Sequence, residues 1–490
     1  MRRVKDLSVL VQARSAMTLV AALGFALAGC SGSEDTSSAN PAAVTINTPV
    51  QIAQVSAEDY NENVNGLITG QTLQNWIDDW QNNKPAGING RLVILQMTTG
   101  PEGGEYITPK PQEGVLTYRM DTGRLTQVRS NGVIETRSVV PDGNQMDGFL
   151  QDYNIDPRND MVVCAMASGG YFPVMQKGRC WYMLRYWGTA KDNLAVLNGA
   201  AASPEVMDPS YLGSTGTCDE HLMVTAGAPN CLPRNGRVSV RDLPEDNISL
   251  QATVEDVIAA AEGRQDAFIW DARSANEYSA VQGVAEDKYL GIDFRNGASK
   301  QGHPVGAVVL PYSNLLMSDG TFRYKPKADL LAYMNGEEVD GAQFERYDSG
   351  ALIPLGVGNA YRPGQTVITY CETTFRAMIT GFASAAVLGL PNRFYDGAMV
   401  EWNSLSAGVQ DKFGSFILPT DSPWRTDLVS RSNWEYNTPA AIDARSIQDP
   451  YAARTNAVTA ADRAYRLGQG SGDSAGGGGG VTLPANPCGG

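Results

Sequence analysis

Thr366-Val-Ile-Thr-Tyr-Cys371-Glu-Thr-Thr-Phe-Arg376-Ala-Met378 is the stretch that decides how this chain is read. A β-branched run rich in strand formers ends on a cysteine, and four residues separate that cysteine from an arginine. Beyond it Ala377, Met378, Ile379, Phe382, Ala383, Ala386, Val387 and Leu388 recur at roughly helical spacing. The spacing predicts strand, short loop and helix, with Cys371 first in the loop. Backbone N–H groups at a helix start favour an anion, so a thiolate there has a lowered pKa and serves as a ready nucleophile.

Composition narrows what such a thiol can do. With 490 residues, 42% of them hydrophobic, the chain is long enough for several cores. A net charge of −15 and the lack of a long basic run argue against a nucleic-acid partner. Two histidines, His221 and His303, leave little scope for histidine-rich metal or haem sites. The seven cysteines are Cys30, Cys164, Cys180, Cys218, Cys231, Cys371 and Cys488.

Arg2, Arg3, Lys5 and Arg14 precede an apolar stretch from Ala16 to Ala28, too short for a spanning helix. It ends in Leu27-Ala28-Gly29-Cys30 and a polar stretch follows, which resembles a bacterial lipoprotein signal with Cys30 as the lipid-modified residue. Ser31 after it fits outer-membrane sorting by the same resemblance. Residues 1–29 are then expected to be a signal peptide and 30–59 a polar linker, with membrane contact through the lipid anchor alone.

Further along, strand and helix patterns alternate, which means a parallel sheet covered on both faces. Leu73 to Trp80 and Met146 to Tyr153 read as helices, and Arg91 to Met97 and Met161 to Ala165 as strands. The order then repeats. Thr253 to Ala261 reads as a helix, Ala267 to Trp270 as a strand ending in Asp271-Ala-Arg273, Lys327 to Met334 as a helix, and the opening stretch follows. We read two copies of one α/β fold, at 60–205 and 241–410. A Gly/Ser/Pro-rich connection at 206–240 joins them, and an extension at 411–490 holds a predicted helix from Ala457 to Leu467 and a Gly-rich tail.

Four motifs stand in order in the second copy: Asp271-Ala-Arg273 with Glu277-Tyr278, Gly302-His303-Pro-Val-Gly306-Ala307, Tyr370-Cys371 to Arg376-Ala377, and Tyr395-Asp396-Gly397 with Glu401-Trp402. Together they resemble the signatures of a rhodanese domain, and the first copy is similar to the N-terminal half of tandem rhodaneses. The resemblance implies a fold of two rhodanese-like domains, each a parallel sheet flanked by helices. It also implies a sulfurtransferase that carries sulfane sulfur as a persulfide on Cys371, taken from thiosulfate, polysulfide or 3-mercaptopyruvate and given to cyanide or a thiol. No cofactor or metal is implied.

In that reading Cys371 and Arg376 are catalytic, and Glu372, Thr373, Thr374 and Phe375 form the loop that receives the substrate. Arg273 is a candidate substrate contact, though a buried pair with Asp271 is the plainer reading. His303 reads as a structural turn residue, and Asp396-Gly397 as the turn behind the loop. Two positions depart from the family pattern. Thr374 stands where glycine is usual, and a β-branched residue resists positive φ. Glu372 puts a carboxylate beside the thiol, where it would raise the thiol pKa and repel a dianion.

In the first copy Met166 falls at the loop position, so that half is expected to be non-catalytic, with Arg179 and Arg185 as structural residues or cleft contacts. Cys164 and Cys180 read as core cysteines. Cys218 and Cys231 are expected to pair as a disulfide; a metal site with His221 is the alternative, at a spacing that matches no standard site. A second function class is a lipoprotein that holds sulfur, selenium or tellurium without turnover in an envelope redox pathway, with envelope redox proteins as partners; a third is an inactive scaffold.

Overall fold

The computed structural model describes residues 44–97, 106–120, 122–213, 238–279, 302–407, 418–431 and 447–469. These residues belong to one compact unit, within which two sheets share a topology. The first contains β1 (Gly66–Ile68), β2 (Leu92–Met97), β3 (Val115–Met120), β4 (Met161–Met166) and β5 (Leu194–Leu197) in the order β1-β5-β4-β2-β3, every pair parallel. The second contains β6 (Gln251–Ala252), β7 (Ala267–Asp271), β8 (Val308–Val309), β9 (Glu345–Asp348), β10 (Ala351–Pro354), β11 (Thr366–Tyr370) and β12 (Asn392–Tyr395). Its order is β6-β12-β11-β7-β8, followed by the antiparallel edge pair β9-β10. Strand for strand, the first five positions correspond.

The central strands carry near-continuous apolar runs because helices cover both of their faces. β4 (Met-Val-Val-Cys-Ala-Met) is buried along its whole length. α1 (Gly70–Asp78), α2 (Gly143–Asp152) and α4 (Val254–Ala261) begin where Thr69, Asp142 and Thr253 cap their first-turn N–H groups. α5 (Lys327–Met334) lies where periodicity predicts it. The expected helix through Trp80 instead breaks at Asp79, which caps a new turn, Trp80–Asn83.

α3 (Tyr171–Tyr186) follows β4 and α6 (Ala377–Phe382) follows β11, and the two pack against each other. α3 is buried on every side from Pro173 to Tyr186, as befits a helix between two layers. Gly178 makes the close approach possible, since a Cβ there would stand 2.8 Å from the Met378 carbonyl oxygen. Trp181 meets Phe382 edge-to-face at 5.2 Å.

Three features go beyond the sequence reading. The expected linker is docked where it is described: Thr45–Ile46 pairs with Glu245–Asp246, and the Gln54 and Ser56 N–H groups donate to the Ala385 and Val387 carbonyls. Those carbonyls lie in the π turn Ala383–Val387 that follows α6. The described parts of the C-terminal extension, 418–431 and 447–469, are likewise docked on the body. Ser430–Arg431 pairs with His303–Pro304, and α8 (Ala457–Arg466), which follows α7 (Ala398–Ser404), is seated on the first half. Arg129 and Asp462, both buried, form an ion pair there at 2.6 Å, and the Tyr186 hydroxyl donates to Asp462 at the same distance. Finally, Cys164 and Cys180 are core cysteines as expected, but they are bridged to each other, β4 to α3. Among the described residues no helix is long and apolar enough to cross a membrane.

Candidate active site

Cys371 heads a six-residue loop, Cys371 to Arg376, between β11 and α6. Its thiol is buried, as are the side chains of Glu372, Thr373, Thr374 and Phe375. The base of the loop is pinned from α7: Met399 N–H donates to the Cys371 carbonyl at 3.1 Å and Val400 N–H to that of Glu372 at 3.2 Å. The first half holds the same pair of bonds, from Ala201 to Met166 at 3.0 Å and from Ala202 to Ala167 at 2.8 Å. Met166 therefore takes the place of Cys371 there, and a thioether cannot form a persulfide.

Thr374 adopts φ +70°, the left-handed region that a β-branched residue enters at a cost of about 1–2 kcal/mol. A compensating bond is visible: its Oγ1 donates to the Asp396 carbonyl at 2.7 Å. Asp396-Gly397 thus stands directly behind the loop. Gly397 lets the Glu401 carboxylate lie close: a Cβ would stand 2.2 Å from it, and the glutamate would have to shift.

Arg376 turns to Glu277, with Nη1 and Nη2 each donating to one carboxylate oxygen at 2.7 Å, while Glu372 Oε2 stands 3.6 Å away. Burial alone would push the Glu277 carboxyl up. The Arg376 charge, its hydrogen bonds and the more distant Arg273 reverse that and hold it down to about 2. The loop arginine is therefore fixed in direction.

Asp271 and Arg273 form a buried pair at 2.6 Å. Arg273 also donates to the Gly302 carbonyl, and the Tyr370 hydroxyl donates to Asp271 at 2.8 Å. Burial, then the Asp271 charge, pushes the Tyr370 hydroxyl well above its ordinary pKa, so it stays a donor. His303 stacks on Tyr278 at 3.7 Å, with Nδ1 2.7 Å from the Tyr278 carbonyl. It thereby braces the segment that carries Glu277. Phe375 packs on Phe172 of the other half at 5.6 Å, and the half-exposed Tyr171 meets Tyr312 and Phe322 edge-on. The start of α3 forms one side of the loop's surroundings.

Two pairings at this site were not in the sequence reading. Glu277 sat in a quoted motif, and its pairing with Arg376 across 99 positions has no local signal. Arg179 was read as structural or as a cleft contact, and its guanidinium is bound to Asp396. Among the described residues no group of His, Cys, Asp and Glu could hold a metal ion. Cys30, Cys218, Cys231 and Cys488 lie outside the described residues.

Residues 253–405 match the model of the rhodanese-like domain, which supports sulfur transfer or a related activity for the half that holds Cys371. Among solved structures, the Tum1 protein of Saccharomyces cerevisiae is similar at 14% identity over 69% of this chain and 95% of its own, with a TM-score of 0.46. The 3-mercaptopyruvate sulfotransferase SseA of Escherichia coli is 18% identical over 68% and 98%, TM-score 0.42. The 3-mercaptopyruvate sulfurtransferase of Leishmania major is 16% identical over 69% and 74%, TM-score 0.40. No curated protein matches the chain.

Proposed function

We propose that the protein is a sulfurtransferase whose carrier is a persulfide on Cys371. The observation that carries this reading is the thiol at the head of a loop whose arginine, five positions on, is clamped by Glu277, within the segment that matches a rhodanese-like domain. The Cys371 thiolate attacks the sulfane sulfur of the donor. A sulfur–sulfur bond forms, and the donor's bond to that sulfur breaks. The electron pair leaves with sulfite from thiosulfate, with the pyruvate enolate from 3-mercaptopyruvate, or with a shortened polysulfide. Cyanide or an acceptor thiol then attacks the outer sulfur, and Cys371 departs as thiolate. Loop N–H groups and the oriented Arg376 charge stabilise the anionic persulfide.

We place the protein at the bacterial cell envelope, held through Cys30 by lipid, with small-molecule donors, thiol or cyanide acceptors and envelope redox proteins as partners. The basic and apolar start supports this, and so does the Cys164–Cys180 bridge, of a kind that persists in oxidising compartments.

Separate incubation with thiosulfate, polysulfide and 3-mercaptopyruvate, followed by peptide mass spectrometry, tests the reading. A gain of one sulfur atom on Cys371 is expected, and none in Cys371→Ser. No gain with any donor, or full transfer by Cys371→Ser, overturns it. The burial of Cys371 favours a second reading, a slow carrier of sulfur, selenium or tellurium. Rapid multiple turnover with donor and cyanide excludes that reading.

A further inference from the structure

The first half has Met166 where the second has its nucleophile, yet its α3 reaches the turn behind Cys371. Arg179, fully buried, sends both terminal nitrogens to the Asp396 carboxylate, with Nη2 to Oδ2 at 3.2 Å. Val140 N–H, also of the first half, donates to the same Oδ2 at 2.6 Å. Two further Arg179 donors are bound as well, Nε to the Leu125 carbonyl at 3.1 Å and Nη2 to that of Ser138 at 2.9 Å. Among the described residues, these hydrogen bonds to the Asp396 side chain all come from the other copy.

What Asp396 carries is the loop. Its carbonyl accepts from Thr374, and three residues later the N–H of Met399 holds the Cys371 carbonyl. The line Ser138–Arg179–Asp396–Thr374 begins and ends on residues in the left-handed region, Ser138 at φ +62° and Thr374 at φ +70°. Unfavourable backbone persists only where surrounding contacts over-determine it.

The corresponding turn of the first half is built otherwise. Asn198 replaces Asp396 there and accepts from Tyr324 N–H at 2.7 Å. Lys177, two residues before Arg179 on α3, donates to the Leu197 and Gly199 carbonyls flanking Asn198, at 2.7 and 2.9 Å. One helix supports both turns, and the carboxylate–guanidinium lock stands only behind the turn that serves a thiol.

We infer that Arg179 is a positioning residue for sulfur transfer, holding the Cys371 loop in reactive shape from the non-catalytic half through Asp396 and Thr374. This rests on the sulfur-transfer reading for its chemistry and on geometry for its mechanism.

Removing Arg179 alone leaves a buried carboxylate uncompensated and threatens folding. The test therefore uses the charge-neutral pair Arg179→Gln with Asp396→Asn, and Arg179→Lys as the conservative variant. Three readouts are taken: thermal unfolding, steady-state sulfur transfer to cyanide, and the iodoacetamide alkylation rate of Cys371 by peptide mapping. The pair is expected to unfold cooperatively, to lose about tenfold or more in kcat with donor KM moved by less than about twofold, and to alkylate Cys371 at a changed rate. Arg179→Lys, which keeps the charge, is expected to recover part of kcat. A folded pair with parental kcat and parental alkylation overturns the inference, as does a lysine variant that keeps its fold and is no better than the pair. If the parent takes no sulfur from any donor, the sulfur-transfer reading falls by itself, and alkylation then decides: a changed rate in the pair upholds the positioning role, and a parental rate overturns it.

Discussion

Thr374 offers the sharpest test of how the cysteine loop is held, because two opposing effects meet in one side chain. Its backbone at φ +70° is unfavourable by about 1–2 kcal/mol, a cost that glycine would not bear. Its hydroxyl makes a buried 2.7 Å bond to the Asp396 carbonyl, worth about 1 kcal/mol net and up to about 3 when the acceptor is left unsatisfied. Thr374→Val keeps the shape and the strain and removes the bond, so it should destabilise by about 1–3 kcal/mol. Thr374→Gly also removes the bond but relieves the strain, set against about 0.5–1 kcal/mol of added chain entropy. The glycine variant should therefore be more stable than the valine variant by roughly 1 kcal/mol, the strain relieved less the entropy added. Thr374→Ser, which keeps the hydroxyl, should match the parent. Urea unfolding at neutral pH measures all three. A valine variant as stable as the parent, or a glycine variant as damaged as the valine one, would refute the claim that this bond compensates the strain.

Two further outcomes follow from the surroundings of the loop. The Glu277 carboxyl is held at about 2, below its ordinary value of 4.5, so its ion pair contributes stability in full above about pH 4.5 and loses it as pH falls towards 2. The stability difference between parent and Glu277→Gln, on the order of 3 kcal/mol near neutrality, should shrink across that window in urea melts; a gap that does not change with pH would contradict the assignment. Cys164 and Cys180 close a loop of 16 positions, so Cys164→Ala with Cys180→Ala should lower stability by about 3 kcal/mol under non-reducing conditions, and reductant should narrow the gap between parent and variant.

What the sequence revealed was what local pattern encodes. β11, the cysteine loop and α6 were legible because a β-branched run gives way to helical spacing across a single cysteine. The doubled α/β architecture was legible because the order of elements recurs, and the two sheets indeed share one strand order. Contacts made by the fold alone were not legible. Arg179 lies 217 positions from Asp396 and Glu277 lies 99 from Arg376, and no periodicity reports such pairs. Cys164 and Cys180 meet because α3 folds back over β4, bringing their Cα atoms to 6.2 Å. Residues 45–56 read as tether because their role is carried by main-chain N–H and C=O groups, which composition does not record.

The Arg129–Asp462 pair ties the far end of the described chain to its first half. Arg129 is buried there, while its counter-charge is encoded 333 positions later on α8. A chain cut before α8 would lose the carboxylate together with the helix that covers the guanidinium, so the final packing of the first half depends on the C-terminal extension.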